Sequence, residues 1–202
     1  MAARTVSVTW AAADPSGSGI ASTDVRYGRR SSTSTSAFVW TGWRNATTAR
    51  TSTLTSTALA STYCFQARAR DVAGNLGPWS STRCITTPTD DRTLTTSGGW
   101  QRGRRAGYIA NSFSATSKAG ASLATPTSVA VHRIGLVAMH CPNCGSVTVY
   151  VGAHRVGIFT LKQSSTGIGV FQLPAFISTK FGIVKYIAAG KLVLIDGVLI
   201  SS

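Results

Sequence analysis

The sequence contains no glutamate and only six aspartates. Glycoside hydrolysis requires two carboxylates facing one cleft. Asp14, Asp24 and Asp71 fall at loop or strand-edge positions, and Asp196 sits in a turn-like context. The inventory therefore supplies no such pair. No calcium-binding acidic cluster is visible, and GxSxG, HExxH and phosphate-cradling glycine motifs are all missing. His132, His140 and His154 have no evident Ser or Cys partner arrangement. No catalytic residue, metal or cofactor is expected, and a binding or structural role is favoured over an enzyme.

Long apolar runs are missing as well. No stretch reaches the roughly 20 residues of a transmembrane helix, and no long segment carries a 3.6-residue apolar period. Met1-Ala2-Ala3-Arg4 reads as leading directly into a strand, so no secretory leader is expected within this sequence. Hydrophobic residues still make up 43% of the 202 residues, and Gly, Ser and Thr are abundant. The chain is predicted to be all-β, with room for two small domains.

Positive charge is plentiful. Twenty Lys and Arg give a net charge of +14. Such a surface attracts polyanions without sequence specificity, among them nucleic acid, teichoic acid, lipopolysaccharide and acidic polysaccharide. The alternative is that the basic residues are spread over a solvated surface or neutralised by a partner. No basic run with helical spacing argues for specific nucleic-acid reading.

Tyr63, Phe65, Ala67 and Ala69 alternate with Cys64, Gln66, Arg68 and Arg70, the period-2 pattern of a strand with one apolar face. Residues 71–78 carry the Gly, Asn and Pro of a hairpin loop, and a second strand returns from Trp79. Folding this hairpin about Gly74 sets Cys64 opposite Cys84, within reach of a disulfide. That staple implies an oxidising, extracellular setting.

The residues around the hairpin resemble a fibronectin type III domain, in particular the version found in bacterial surface proteins. Val6-Ser7-Val8-Thr9-Trp10 matches the B strand, Asp14-Pro15-Ser16-Gly17-Ser18-Gly19-Ile20 the B–C loop, and Asp24-Val25-Arg26-Tyr27 the C strand. Residues 63–69 match the F strand, and Asp71 to Asn75 with Trp79-Ser80 match the F–G loop and G strand. The resemblance covers about residues 4–89 and implies an Ig-like sandwich. It departs from the pattern at the start, where only three residues precede Arg4. Either the chain is cut from a longer protein or another chain supplies the first strand, since an open edge invites pairing.

Pro88-Thr89-Asp90-Asp91-Arg92 marks the domain boundary. The expected layout is a sandwich over residues 1–89, a linker over 90–98, and a second sandwich over 99–202. In the second half, strands are expected at 108–114, 128–139, 146–151, 155–162, 168–173, 183–188 and 192–200. Asp196-Gly197 is either a hairpin turn or a kink in one terminal strand. Gly120 to Leu123, Val129 to Val131, Gly145 to Val151 and Val193 to Val198 resemble bacterial jelly-roll domains similar to carbohydrate-binding modules. This second resemblance implies a jelly roll more than it implies sugar binding.

Cys141-Pro142-Asn143-Cys144 lies between two apolar strands. A redox CxxC requires a helix N-terminus and zinc requires two further ligands. A short disulfide pinning a turn is the expectation, the alternative being that all four cysteines are reduced. Trp10 and Trp79 are expected in the core. Trp40, Trp43 and Trp100, if exposed, could stack on sugar rings. Trp100 precedes Arg102, Arg104 and Arg105, the densest basic cluster of the chain and a reasonable acidic-glycan contact.

The sequence thus predicts a non-enzymatic extracellular or cell-surface module for glycan or anionic surface polymer. The first alternative is a structural subunit of a fibre or virion surface, a homo-oligomer or polymer joined through the open first-domain edge. The second is an accessory module of a larger secreted enzyme.

Overall fold

The computed structural model describes residues 5–14 and 17–202. Met1-Ala2-Ala3-Arg4, and Pro15 and Ser16 of the expected B–C loop, lie outside them. The protein is an all-β sandwich fold that divides into two compact units. One comprises Pro88–Ser202 with Ser32–Thr35; the other holds the remaining described residues up to Thr87.

The N-terminal unit contains β1 (Val6–Thr9), β2 (Ile20–Ser31), β3 (Trp40–Thr47), β4 (Thr51–Leu54), β5 (Ser61–Asp71) and β6 (Arg83–Thr86). β1 and β4 form one antiparallel sheet; the other has the order β3–β2–β5–β6. The alternation along β5 sends Tyr63 and Phe65 inward, where they meet Val6 and the half-buried Val8, Tyr27, Trp43 and Leu54. On the opposite parity Cys64 pairs in register with Cys84, and the two are disulfide-bonded with Cα atoms 4.0 Å apart. β4 ends at Leu54. Ser56 and Ala60 adopt positive φ angles of 57° and 50°, which a ladder cannot accommodate.

The C-terminal unit opens with β7 (Thr89–Asp90), the 3-10 turn Asp91–Thr93, β8 (Thr95–Ser97) and β9 (Gln101–Arg104). The 3-10 turn Ile109–Asn111 leads into β10 (Ser112–Thr116), then β11 (Ala119–Ala124), β12 (Val129–Val131) and β13 (Arg133–His140). β14 (Ser146–Val151), β15 (His154–Thr160), β16 (Gly167–Gln172), β17 (Lys180–Gly182), β18 (Val184–Ala189) and β19 (Val193–Ser201) complete it. One sheet has the order β16–β13–β19–β10–β9 with β7 also on β19, the other β15–β14–β18–β11–β8, and β12 pairs with β17. Leu123, Leu136, Val147, Val149, Tyr186 and Ile195 belong to one buried cluster contributed by both sheets. Tyr186 is fully buried, its hydroxyl has no hydrogen-bond partner among the described residues, and burial pushes its phenol far above the ordinary range.

Residues 90–98, expected as a linker, are instead built into this unit. Leu94 and Asp91 are buried there, and β8 pairs with β11. The Asp90-Asp91 pair, read from the sequence as part of the boundary, finds internal donors in the Arg92 guanidinium and the Ser112 and Ser114 hydroxyls. The strand expected over 108–114 begins only at Ser112, and that over 128–139 breaks at His132. Asp196-Gly197 lies within the single strand β19 as a kink, not a hairpin. Val137 pairs with Gly197 and Ala138 with Ile195, so Asp196 is the extra residue of a β-bulge.

Candidate functional site

The β-bulge fixes the chemistry of one end of the C-terminal unit. Around Asp196, one neighbour of β19 is β10, through Ser114 opposite Ile195, and another is β7, through Asp90 opposite Gly197. Gly197 permits this approach: a Cβ there would lie 2.8 Å from the Thr89 carbonyl and 2.9 Å from Ile109 Cδ1. The junction gathers Asp90, Asp91 and Asp196, which are 7%, 0% and 3% exposed.

Each carboxylate holds a different element. Asp90 accepts from the Arg92 side chain, with Nη2 at 2.8 Å, and from the Arg92 backbone N–H at 2.9 Å. Asp91 accepts from the hydroxyls of Ser112 at 2.8 Å and Ser114 at 2.6 Å. Asp196 Oδ1 accepts from the Ile109 N–H at 2.7 Å. Burial raises Asp91 above the usual carboxylate range, and the adjacent Asp90 adds to this. Burial also acts on Asp90, but Arg92's hydrogen bonds and charge hold it below that range. Asp196 is pushed up to about 6, first by burial and further by the charges of Asp91 and Asp90. Among the described residues, no group of three or more His, Cys, Asp or Glu could hold a metal ion.

Directly outside this network lies an open depression of about 460 Å3, lined by Arg92, Arg104, Arg105, Ala106, Ala110 and Asn111. Arg104 ends β9 opposite Ser112, and the Arg105 N–H donates to the Asn111 carbonyl at 3.1 Å. The far wall is the Ile109–Asn111 turn, where Ala110 and Asn111 have φ of 49° and 57°. Arg92 is ion-paired with Asp90. Neither Arg104 nor Arg105 has a carboxylate partner among the described residues.

The residues singled out from the sequence separate into three groups. Arg104 and Arg105 line the depression. Arg102 does not: its guanidinium donates to the carbonyls of Arg92 at 2.9 Å and Leu94 at 2.6 Å, tying β9 to the preceding turn. Trp100 is half-buried against the C-terminal core, with its indole N–H buried and without a hydrogen-bond partner among the described residues, so its ring is a packing group. Trp43 packs edge-on to Trp10 at 6.5 Å and contacts Phe65 at 5.7 Å, inside the N-terminal core.

Trp40 and Trp79 lie on the outer face of the four-stranded sheet. Arg26 stands 4.8 Å from the Trp40 ring and 4.0 Å from the Trp79 ring, and Arg68 stands 4.6 Å from Trp79. Trp79, expected in the core, is half-exposed because guanidinium faces supply the packing. Cys141 and Cys144 are disulfide-bonded at the β13–β14 turn. A strand follows them, so no helix N-terminus activates a thiolate there.

Arg92, Asn111 and the three buried aspartates carry no local sequence signal as a site. They come from three separate stretches, brought together by strand pairing on β19 and by the hydrogen bond from the Ile109 N–H to Asp196. No family model and no curated protein matches this chain. Solved structures similar to it include a family two carbohydrate esterase from Cellvibrio japonicus, at 16% identity and TM-score 0.41, over 57% of this chain and 32% of that one. A xanthan lyase from Paenibacillus is similar at 12% identity and TM-score 0.44, over 98% of this chain and 19% of that one. The structure of CBM51-2 in complex with GlcNAc and INT domains from Clostridium perfringens ZmpB is similar at 12% identity and TM-score 0.35, over 69% and 37%. The chain spans well under two thirds of the length of each.

Proposed function

We propose that the chain is a non-enzymatic, extracellular binding module for an acidic glycan or another anionic surface polymer, bound through the C-terminal unit. The observation that carries this reading is the placement of charge. From Pro88 onward the sequence has eleven Lys and Arg against three Asp, and all three aspartates are buried. The surface of this unit therefore presents cationic side chains with no carboxylate between them. Such a field draws in polyanions and releases their counterions on binding. The buried carboxylates are engaged by protein donors, which supports binding over hydrolysis. The two disulfides support an extracellular setting. The two-plus-four strand order, with β5–β6 bridged, supports a fibronectin type III-like N-terminal unit; the two large antiparallel sheets of the C-terminal unit support a jelly roll.

Binding of the full chain to dextran sulfate and to uncharged dextran tests this. Affinity for the sulfated polymer is expected to fall about tenfold or more between 50 and 200 mM salt, with no binding to the neutral one. Equal binding to both would overturn the reading.

One observation favours a structural subunit as the second reading. Among the described residues β1 pairs only with β4, leaving its other edge open, and Ile85 on β6 is 46% exposed. An added strand beside β1 would occupy that edge. Light scattering is then expected to show assemblies of several chains; a single-chain mass at all concentrations would remove this reading.

A further inference from the structure

The depression at the β9–β10 connection has the features of a defined site and not merely of a charged surface. Resting on the polyanion reading above, we infer that it binds one oxyanion group, a carboxylate, sulfate or phosphate carried by the polymer. Arg104 and Arg105 are its free donors, and Arg92 is a third cation fixed in place.

Three features carry this. First, the arginines converge on one concavity, and guanidinium forks match oxyanions through paired hydrogen bonds. Two of them are free of carboxylate partners. Asp90 occupies Nε and Nη2 of Arg92, leaving Nη1 without a partner among the described residues.

Second, the walls are held from inside. Asp90 fixes Arg92, and Asp196 fixes the Ile109–Asn111 turn through the Ile109 N–H. That turn contains Ala110, a non-glycine residue in the left-handed region. Backbone of this kind persists where the surroundings over-determine it, and it occurs preferentially at binding sites. The bulge that buries Asp196, the close approach at Gly197 and the pairing of β7 with β19 all serve this wall.

Third, the carboxylate that positions Arg92 is buried behind it. Asp90 orients that cation without occupying the concavity. Asn111 adds a neutral carboxamide to the lining. The volume suits a group the size of a charged sugar unit.

The test uses the full chain labelled with 15N, titrated at constant ionic strength with sodium sulfate, inorganic phosphate or glucuronate. Saturable amide shifts are expected at Arg92 and at residues 104–111. In the Arg104→Gln/Arg105→Gln variant the affinity is expected to fall about tenfold or more. A Lys185→Gln/Lys191→Gln variant removes the same charge from exposed positions elsewhere on the unit and is expected to keep the affinity within about twofold. An unchanged core amide spectrum verifies folding of both variants. Saturation by glucuronate alone assigns a planar carboxylate ligand; saturation by sulfate or phosphate assigns a tetrahedral one. Equal weakening in both variants, or non-saturating shifts across the unit, would overturn the discrete site while leaving the polyanion reading intact. Absence of dextran sulfate binding by the unaltered chain would overturn the polyanion reading, and the site with it.

Discussion

Replacing Cys64 and Cys84 together with alanine is expected to cost the N-terminal unit about 3 kcal/mol and to unfold it while the C-terminal unit stays folded. The bridge closes a loop of sequence separation 20. In the chain-entropy account, a loop of that length restricts the unfolded ensemble by roughly 3 kcal/mol. The unit has little to set against the loss. Among the described residues its core cluster joins three buried side chains, Val6, Tyr63 and Phe65, with four more half-buried, and small domains are marginal without staples. Alanine is the appropriate replacement because Cys64 is fully buried, where a serine hydroxyl would require a new partner. The Cys141–Cys144 bridge spans a separation of only 3, so its removal is expected to cost less, about 2 kcal/mol or under. Hydrogen exchange read strand by strand, with and without reductant, measures both effects. Protection of β2 and β5 should collapse on reduction while that of β13 and β19 persists. Simultaneous loss in both units would defeat this account.

Stability of the C-terminal unit is expected to rise as the pH falls from about 6.5 to about 4.5, the reverse of ordinary acid destabilisation. Asp196 is held at about 6 in the folded chain, well above its ordinary value. A carboxyl raised in this way binds its proton more tightly when folded. Folding therefore takes up a proton between the two values, and stability is lost as pH rises through that window. Asp91 is raised for the same reason and acts in the same direction. Below about pH 4 the sign reverses, because Asp90, held low by Arg92, must then be protonated against its pairing. Two pKa units correspond to about 2–3 kcal/mol. Asp196→Asn keeps an amide oxygen that can accept from Ile109, and it is expected to flatten the slope and gain about 2 kcal/mol near pH 7.5. Urea midpoints followed by exchange at β10 and β19, from pH 4 to 8, provide the comparison. Parallel pH profiles for the parent and the variant would refute the assignment.

Much of the N-terminal unit was legible because its signals are local. The alternation through 63–70 specifies an amphipathic strand, and the Gly74-centred loop sets Cys64 opposite Cys84 whatever else the chain does. The tryptophans were not legible in the same way. Trp43 and Trp79 are both aromatic residues beside polar neighbours, yet one faces the core and the other sits between two arginines. Only the positions of β2 and β5 beneath them make that distinction. In the C-terminal unit, Tyr108 and Ile109 continued an apolar pattern that suggested a strand. The Asp196 hydrogen bond instead holds Ile109 in a 3-10 turn.

The composition determined the charge. Without glutamate, and with twenty basic residues, the chain could only be strongly cationic, and its apolar periods could only build strands. Where the few negative charges lie was decided by tertiary structure. Six aspartates in solvent would have been scattered among the arginines. Three are instead drawn inward, because a bulge in β19 and the pairing of β7 beside it bring hydroxyl and amide donors from distant stretches to the point where Arg92 already meets Asp90. Burying a carboxylate is costly unless such donors meet it. No local pattern encodes that meeting, and it is what leaves Arg104 and Arg105 at the rim of the depression without a carboxylate partner among the described residues.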